Sequence, residues 1–353
     1  MNSKRSDTPR LVQKDTSVRE HLKGLSPFLS DPDVTEICMN RDNEVWTEKN
    51  SVWKCFTVTG FDYKHMEAIG IAVAKYAGSG AGFNDSQPIL SAVLPDGERI
   101  QMAMPPACEA GTISLTIRKP SHTVRRLEDY VKSGFFDKIK PTTSKLSSVE
   151  HDLIKLKDEK KYVDFLRMAV QNNKVIVIAG ETGSGKTTFM KALMQEIPQH
   201  QRLITIEDVP ELFLPNHPNH VHLFYPSEAK ESEGAVVTSS SLLRSCLRMK
   251  PDRILLAELR GGETFDFLNV CLSGHGGSIT SCHSGSCEGA FEYLALKVLQ
   301  NAQGRELPHH VIMRLLYLTI DVVMHVHNDA VDGRHITGIW YDPMKKRGGN
   351  DDE

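Results

Sequence analysis

At 353 residues, with 40% hydrophobic and 25% charged side chains, the chain is long for one domain and comfortable for two. A net charge of −3 sets up no global field toward nucleic acid or an anionic membrane. Seven scattered cysteines include no CxxC pair, so a zinc knuckle is excluded and the thiols read as reduced, small apolar side chains of a cytosolic protein.

The polar start, MNSKRSDTPR, lacks a signal-peptide apolar region. The longest apolar stretch, Leu315 to Val326, contains Asp321 and His325 and is too short to span a bilayer. Residues 1–125 read as a small α+β domain. EVWTEKNSVWKCFTV predicts a strand pair turning around Lys49–Ser51. DYKHMEAIGIAVAKYAGSG predicts a helix with Met66, Ile69, Val73 and Tyr76 on one side and Gly78 as its stop. The glycine-rich AGSGAGF follows a helix rather than a strand, which makes it a turn and not a phosphate cradle. PILSAVLPDGERIQMAM is a hairpin around Pro95-Asp96-Gly97. Strict alternation puts Ile113, Leu115 and Ile117 opposite Ser114, Thr116 and Arg118, and Ile100, Met102 and Met104 opposite Arg99, Gln101 and Ala103. Arg99 and Arg118 therefore belong on the face away from the local core, and alternation alone reads that face as solvated.

Residues 126–164 are polar and lysine-rich, with Ser147-x-x-Glu150 as a capping box, and form the expected helix-bearing linker. Residues 165–353 form the second domain. Val175 to Ala179 is a continuous apolar run, as in a parallel strand buried on both faces. It leads into Gly180, Glu181, Thr182, Gly183, Ser184, Gly185, Lys186, Thr187 and Thr188, then into a helix with Phe189, Met190, Leu193, Met194 and Ile197 on its apolar face. In such a loop, backbone amides and a helix N-terminus converge on phosphate, Lys186 reaches the outer phosphates, and Thr187 ligates Mg²⁺. Further strands are expected at Leu203–Ile206, Ile254–Ala257, Ser278–Cys282 and Ile320–Val326, followed by a hairpin turning at Asp332-Gly333 and a disordered tail, KKRGGNDDE. Strands alternating with helices predict an α/β, mainly parallel sheet with its ligand at the strands' C-terminal ends.

Those ends carry chemistry. Glu207, Asp208 and Glu211 follow the first strand after the loop, Glu258 and Arg260 the second, and His283 the third, with His275 on the approach to it. Phosphoryl transfer from ATP to water needs Mg²⁺ and cations for the developing charge, plus a carboxylate to orient or deprotonate the water. Glu258 is the first choice for that carboxylate and Glu207 its rival. Ala257 stands where an Asp commonly holds the metal, so water held by Asp208, Glu258 or both completes the Mg²⁺ shell beside Thr187. His283 can reach the terminal phosphate as a sensor.

The segments GETGSGKTT, LITIEDVPEL, MKPDRILLAELRGGE and SGHGGSITSCHSGS resemble, in order, the Walker A, Asp, atypical Walker B and His boxes of secretion ATPases. Within that superfamily the chain is most similar to the hexameric traffic ATPases of bacterial type IV secretion and conjugation systems. LSDPDVTEICMNRDNEVW, LPDGERIQ and ISLTIRKPS resemble their N-terminal domain. The resemblance implies a RecA-like ATPase domain preceded by an α+β domain, assembled as a hexamer, with ATP and Mg²⁺ as cofactors and Arg99 and Arg118 contacting the phosphates. It also implies a position at the cytoplasmic face of the inner membrane, docking on membrane components of the apparatus and moving protein or protein–DNA substrates, with no sequence-specific nucleic-acid binding. A nucleotide-gated scaffold, a pilus or type II secretion motor, and a small-molecule kinase sharing only the phosphate loop are the alternatives.

Overall fold

The computed structural model describes residues 14–121, 124–139, 145–229 and 234–347. The polar start, residues 348–353 and part of the connector lie outside the described residues. The first residues of the tail expected to be disordered are ordered instead, Lys345 and Lys346 ending a short helix and Arg347 pairing with Glu150. The chain divides into two compact units, Met1–Pro105 with Gly111–Pro120, and Pro106–Ala110 with Ser121–Glu353.

The first unit begins with two short helices, α1 (Thr16–His21) and α2 (Ser26–Ser30), and continues through β1 (Val34–Met39), β2 (Glu44–Lys49) and β3 (Val52–Thr57). Helix α3 (Tyr63–Ala77) and strands β4 (Ile89–Val93), β5 (Arg99–Ala103) and β6 (Ser114–Arg118) complete it. The sheet runs β3-β2-β1-β6-β5-β4, every neighbour antiparallel. Asn50 and Ser51 both take positive φ between β2 and β3, the backbone a two-residue hairpin needs. Asp62 caps α3 by accepting from the His65 amide, and Gly78 ends it in the left-handed region. Met66, Ile69 and Val73 of that helix pack with Ile100, Met102, Leu115 and Ile117, as the two periodicities predict.

The opposite face departs from the solvated surface that alternation suggests. Gln101, Ala103, Ser114 and Thr116 are buried, and of the alternating set only Arg99 and Arg118 are exposed. Gln101 accepts a hydrogen bond from the Ser91 hydroxyl on β4 and lies opposite Thr116 on β6, so polar side chains in mid-sheet pair laterally. Alternation assigns a side chain to a face but carries no information on what covers that face.

The second unit opens with α4 (Leu127–Lys132), α5 (Ser148–Asp158) and α6 (Tyr162–Gln171). Then come β7 (Ile176–Gly180), α7 (Lys186–Met194), β8 (Leu203–Glu207), β9 (His220–Phe224), α8 (Ser239–Cys246) and β10 (Arg253–Leu259). It closes with α9 (Glu263–Leu272), β11 (Ile279–Cys282), α10 (Cys287–Val298), α11 (His309–Thr319), β12 (Val322–Asp329), β13 (Gly333–Tyr341) and α12 (Pro343–Lys346). The sheet order is β13-β12-β7-β11-β10-β8-β9, parallel except for the β12–β13 hairpin. Strands β8 and β10 run further than expected, so Glu207 ends one and Glu258 lies inside the other. Edge strand β9 is an addition.

Ser147 and Glu150 form the expected capping box, but α5 does more than connect. Its Leu153 is fully buried with Phe165, Ile176, Met190 and Met324. Lys157 donates to the Tyr341 carbonyl, and Glu150 pairs with Arg347 at 2.6 Å. Among the described residues no helix is long and apolar enough to cross a membrane.

Candidate active site

Strand β7, buried along its whole length, delivers the chain into the phosphate loop at the sheet's C-terminal edge. A Cβ on Gly180 would come within 2.4 Å of the Val326 carbonyl oxygen of neighbouring β12, so only glycine fits where the strand ends. Gly183 and Gly185 take φ of 78° and 100°, left-handed values that favour glycine and that a phosphate loop uses to turn its amides inward. No side chain caps α7, which leaves its first amides free to donate to a bound anion. Ser184 is buried and bonds back to the Glu181 carbonyl, Thr187 is half-buried, and Glu181, Thr182, Gly183 and Thr188 are exposed. Lys186 folds onto the loop, its Nζ donating to the carbonyls of Gly180 and Glu181 at 2.8 and 3.0 Å. Burial pulls the pKa of this ammonium down against the opposing pull of Glu258.

The sheet order places β11 directly beside β7, then β10, then β8. Consequently His283, just past β11, stands between the phosphate-loop strand and the carboxylates. His283 Nε2 lies 2.8 Å from Glu258 Oε1, an oxygen that is buried yet has no aligned hydrogen-bond donor. Arg260 Nε donates to Glu258 Oε2 at 2.6 Å, and the same guanidinium pairs with Asp208. Asp208 also accepts from Ser227 at 3.1 Å.

Glu207 is different. It is fully buried, and its Oε1 accepts from the Thr205 hydroxyl at 2.6 Å. Its Oε2 accepts from the amides of Glu211 and Leu212 at 2.8 and 2.7 Å. Oε2 thus holds the turn after β8, while Oε1 is tied to Thr205 within the strand and lies 3.3 Å from His222 Nδ1 on β9. His275 precedes β11 at the opposite end of the strand from His283 and does not join the cluster.

Arg99 and Arg118 belong to the first unit, where they are direct cross-strand neighbours. Arg118 Nε lies 3.4 Å from Glu36 Oε1. Arg260, named in the sequence among the strand-end residues, has no role assigned there, and the structure makes it the link between Glu258 and Asp208. Its signal was its closeness in sequence, since Arg260 stands one residue past the end of β10 and two after Glu258. On the other flank of the loop a cavity of about 590 Å³ has Glu181, Cys287, His325 and Trp340 among its walls.

A phosphate loop on β7, a strand inserted between it and the Glu258 strand, and carboxylates converging from β8 and β10 define a RecA-like P-loop ATPase. The pattern of the type II/IV secretion system protein family matches residues 71–324, and the chain belongs to that family. It is 62% identical to the type IV secretion system protein VirB11 of Brucella abortus biovar 1 (strain 9-941), over 98% of this chain and 97% of that one. Identity to the type IV secretion system protein PtlH of Bordetella pertussis is 42%, over 93% and 96% of the two chains. The crystal structure of the VirB11 ATPase from the Brucella suis type IV secretion system, in complex with sulphate, matches with a TM-score of 0.89 at 60% identity, covering 94% of this chain and 99% of that one. Nucleotide binding and ATP hydrolysis in type IV secretion are therefore this chain's activity.

Proposed function

We propose that the chain is the MgATP-hydrolysing motor of a hexameric ring at the cytoplasmic face of the inner membrane. There it docks on membrane components of a type IV secretion or conjugation apparatus and powers transfer of protein or protein–DNA substrates and pilus assembly. Residues 1–125 are the N-terminal domain, 126–164 the linker and 165–353 the ATPase domain.

Glu258 is the carboxylate that activates water. The observation supporting this is its uncommitted buried oxygen beside His283, where Glu207 has both oxygens engaged. An engaged carboxylate cannot accept a proton from water without giving up the turn it holds.

The donor set fits Mg²⁺, which takes hard oxygens and keeps several waters: the Thr187 hydroxyl with the carboxylates of Asp208 and Glu258. Arg260 already joins those two carboxylates, so the structure has a cation where divalent charge would neutralise them. When bound, the metal supplies charge neutralisation to the phosphates. Lys186 supports the outer phosphates, the α7 amides hold the oxygens of the chain, and Glu258 orients water. His283, in contact with Glu258, relays the presence of the terminal phosphate. Arg99 and Arg118 add positive charge to phosphate binding: like charges placed directly across two strands repel each other, a cost that an anion relieves.

Phosphate release by the purified chain without any added acceptor, abolished in Lys186→Ala, tests the hydrolytic reading against a kinase. Solution mass with and without ATP tests the ring.

A further inference from the structure

The β12–β13 hairpin lies along the phosphate loop on the side away from β11, because β12 is the other neighbour of β7. Its turn is fixed by Asp329, whose Oδ1 accepts from the amides of Val331 and Asp332 at 2.8 and 2.7 Å. Two side chains of the hairpin approach the loop. His327 Nδ1 is 3.9 Å from Glu181 Oε2, and Arg334 reaches Gly185. A Cβ built on Gly185 would lie 3.2 Å from Arg334 Cδ and 3.5 Å from its Nε.

Arg334 has no carboxylate partner among the described residues, although Arg260 and Arg244 in the same unit are both ion-paired. Arg334 is exposed, and the uncapped N-terminus of α7, which opens with Lys186, begins at the residue after Gly185. A guanidinium beside a helix N-terminus that binds anions adds positive charge where a phosphate would sit, and it can donate charge-assisted hydrogen bonds to that phosphate.

We infer that Arg334 is a nucleotide-binding residue, its guanidinium engaging the phosphate chain of a bound nucleoside di- or triphosphate from the Gly185 side of the loop. This rests on the reading that the phosphate loop binds ATP. The contact comes from the same unit as the loop and needs no neighbouring subunit.

Equilibrium binding of a fluorescent ADP analogue to the full chain, followed by anisotropy across a salt series, tests it. Arg334→Ala should weaken binding about tenfold or more, the worth of a charge-assisted hydrogen bond. Arg334→Lys should recover part of that loss, and Arg334→Glu should lose more. The salt dependence of the Kd should become shallower in Arg334→Ala, which a purely structural role would not produce. Lys186→Ala, run alongside, reports on the phosphate loop itself. Loss of binding in Lys186→Ala with wild-type affinity in both Arg334→Ala and Arg334→Glu overturns the assignment of Arg334 while leaving the loop in place. Unchanged affinity in Lys186→Ala overturns both.

Discussion

The guanidinium of Arg118 rests 3.4 Å from the carboxylate of Glu36, and the two ends of that pair live in different environments. The Glu36 side chain is 3% exposed, the Arg118 side chain 62%. An arginine so exposed contributes modestly to stability through the pair, at most about 1 kcal/mol, because solvent screens it. Its outward-facing charge is left for another anion. Arg118→Ala should lower turnover at saturating ATP by at least about tenfold, as expected of an arginine that stabilises charge on a transferring phosphate. Arg99→Ala should do likewise. Both variants should keep wild-type circular dichroism and melt within a few degrees of wild type. Wild-type hydrolysis in both would return these arginines to the role of surface charges.

The two glutamates should separate cleanly in steady-state kinetics and thermal melts. Glu258→Gln should keep nucleotide affinity and turn over roughly 10²–10⁴-fold slower, the usual worth of a positioned acid–base group. Its melting temperature should change little. Glu207→Gln removes the charge from hydrogen bonds to two backbone amides and should cost about 1–3 kcal/mol of stability. A folded, inactive Glu207→Gln beside a near-wild-type Glu258→Gln would reverse the two roles.

Arg260 ion-pairs with both Asp208 and Glu258. Arg260→Gln should let the two carboxylates repel each other, so a divalent cation should bind more tightly with nucleotide than in wild type. Titrating Mn²⁺ by electron paramagnetic resonance in the presence of ADP reads this directly. An unchanged or weaker Mn²⁺ affinity would show that the guanidinium assists the metal rather than standing in for it.

A fragment beginning near Lys145 should be more stable than one beginning near Tyr162. The shorter fragment loses α5, and with it the fully buried Leu153 and the contacts from Lys157 to Tyr341 and Glu150 to Arg347. One buried leucine is worth roughly 1.5–3 kcal/mol, enough to shift a melt by several degrees. Equal melting temperatures would show α5 to be a passive connector.

Six of the seven cysteines are buried and Cys55 is exposed. Burial pushes the Cys282 thiol, beside the site, up to about 12, with Lys186 opposing the shift. A native thiol titration near pH 8 should therefore report one reactive group and a denatured one seven. More than one fast-reacting native thiol would mean that the β11 end of the site opens in solution.

The sequence by itself determined most of the strands and helices, with β1, β9 and the short N-terminal helices as exceptions, where the phosphate loop sits, and which strand ends carry acid, imidazole or arginine. Those are local properties: apolar runs, periods of 2 and 3.6, glycines where φ is positive, and a capping box three residues wide. Sheet order is not local. Nothing in the spacing of the strands says that β11 slots between β7 and β10, and that insertion alone brings His283 against Glu258. The proposed preference for Glu258 over Glu207 rests on the hydrogen bonds that tie Glu207 Oε2 to the turn after β8, which no local spacing displays. Arg260 meets Asp208 across 52 residues of sequence, and Arg334 on β13 meets Gly185 from beyond the intervening strand β12. Likewise, alternation placed Arg99 and Arg118 on one face of the first sheet, but their exposure beside buried Gln101 and Thr116 is a matter of packing. Periodicity encodes direction relative to an element's own axis, whereas a site is made where several elements end together, and only tertiary packing brings those ends to one place.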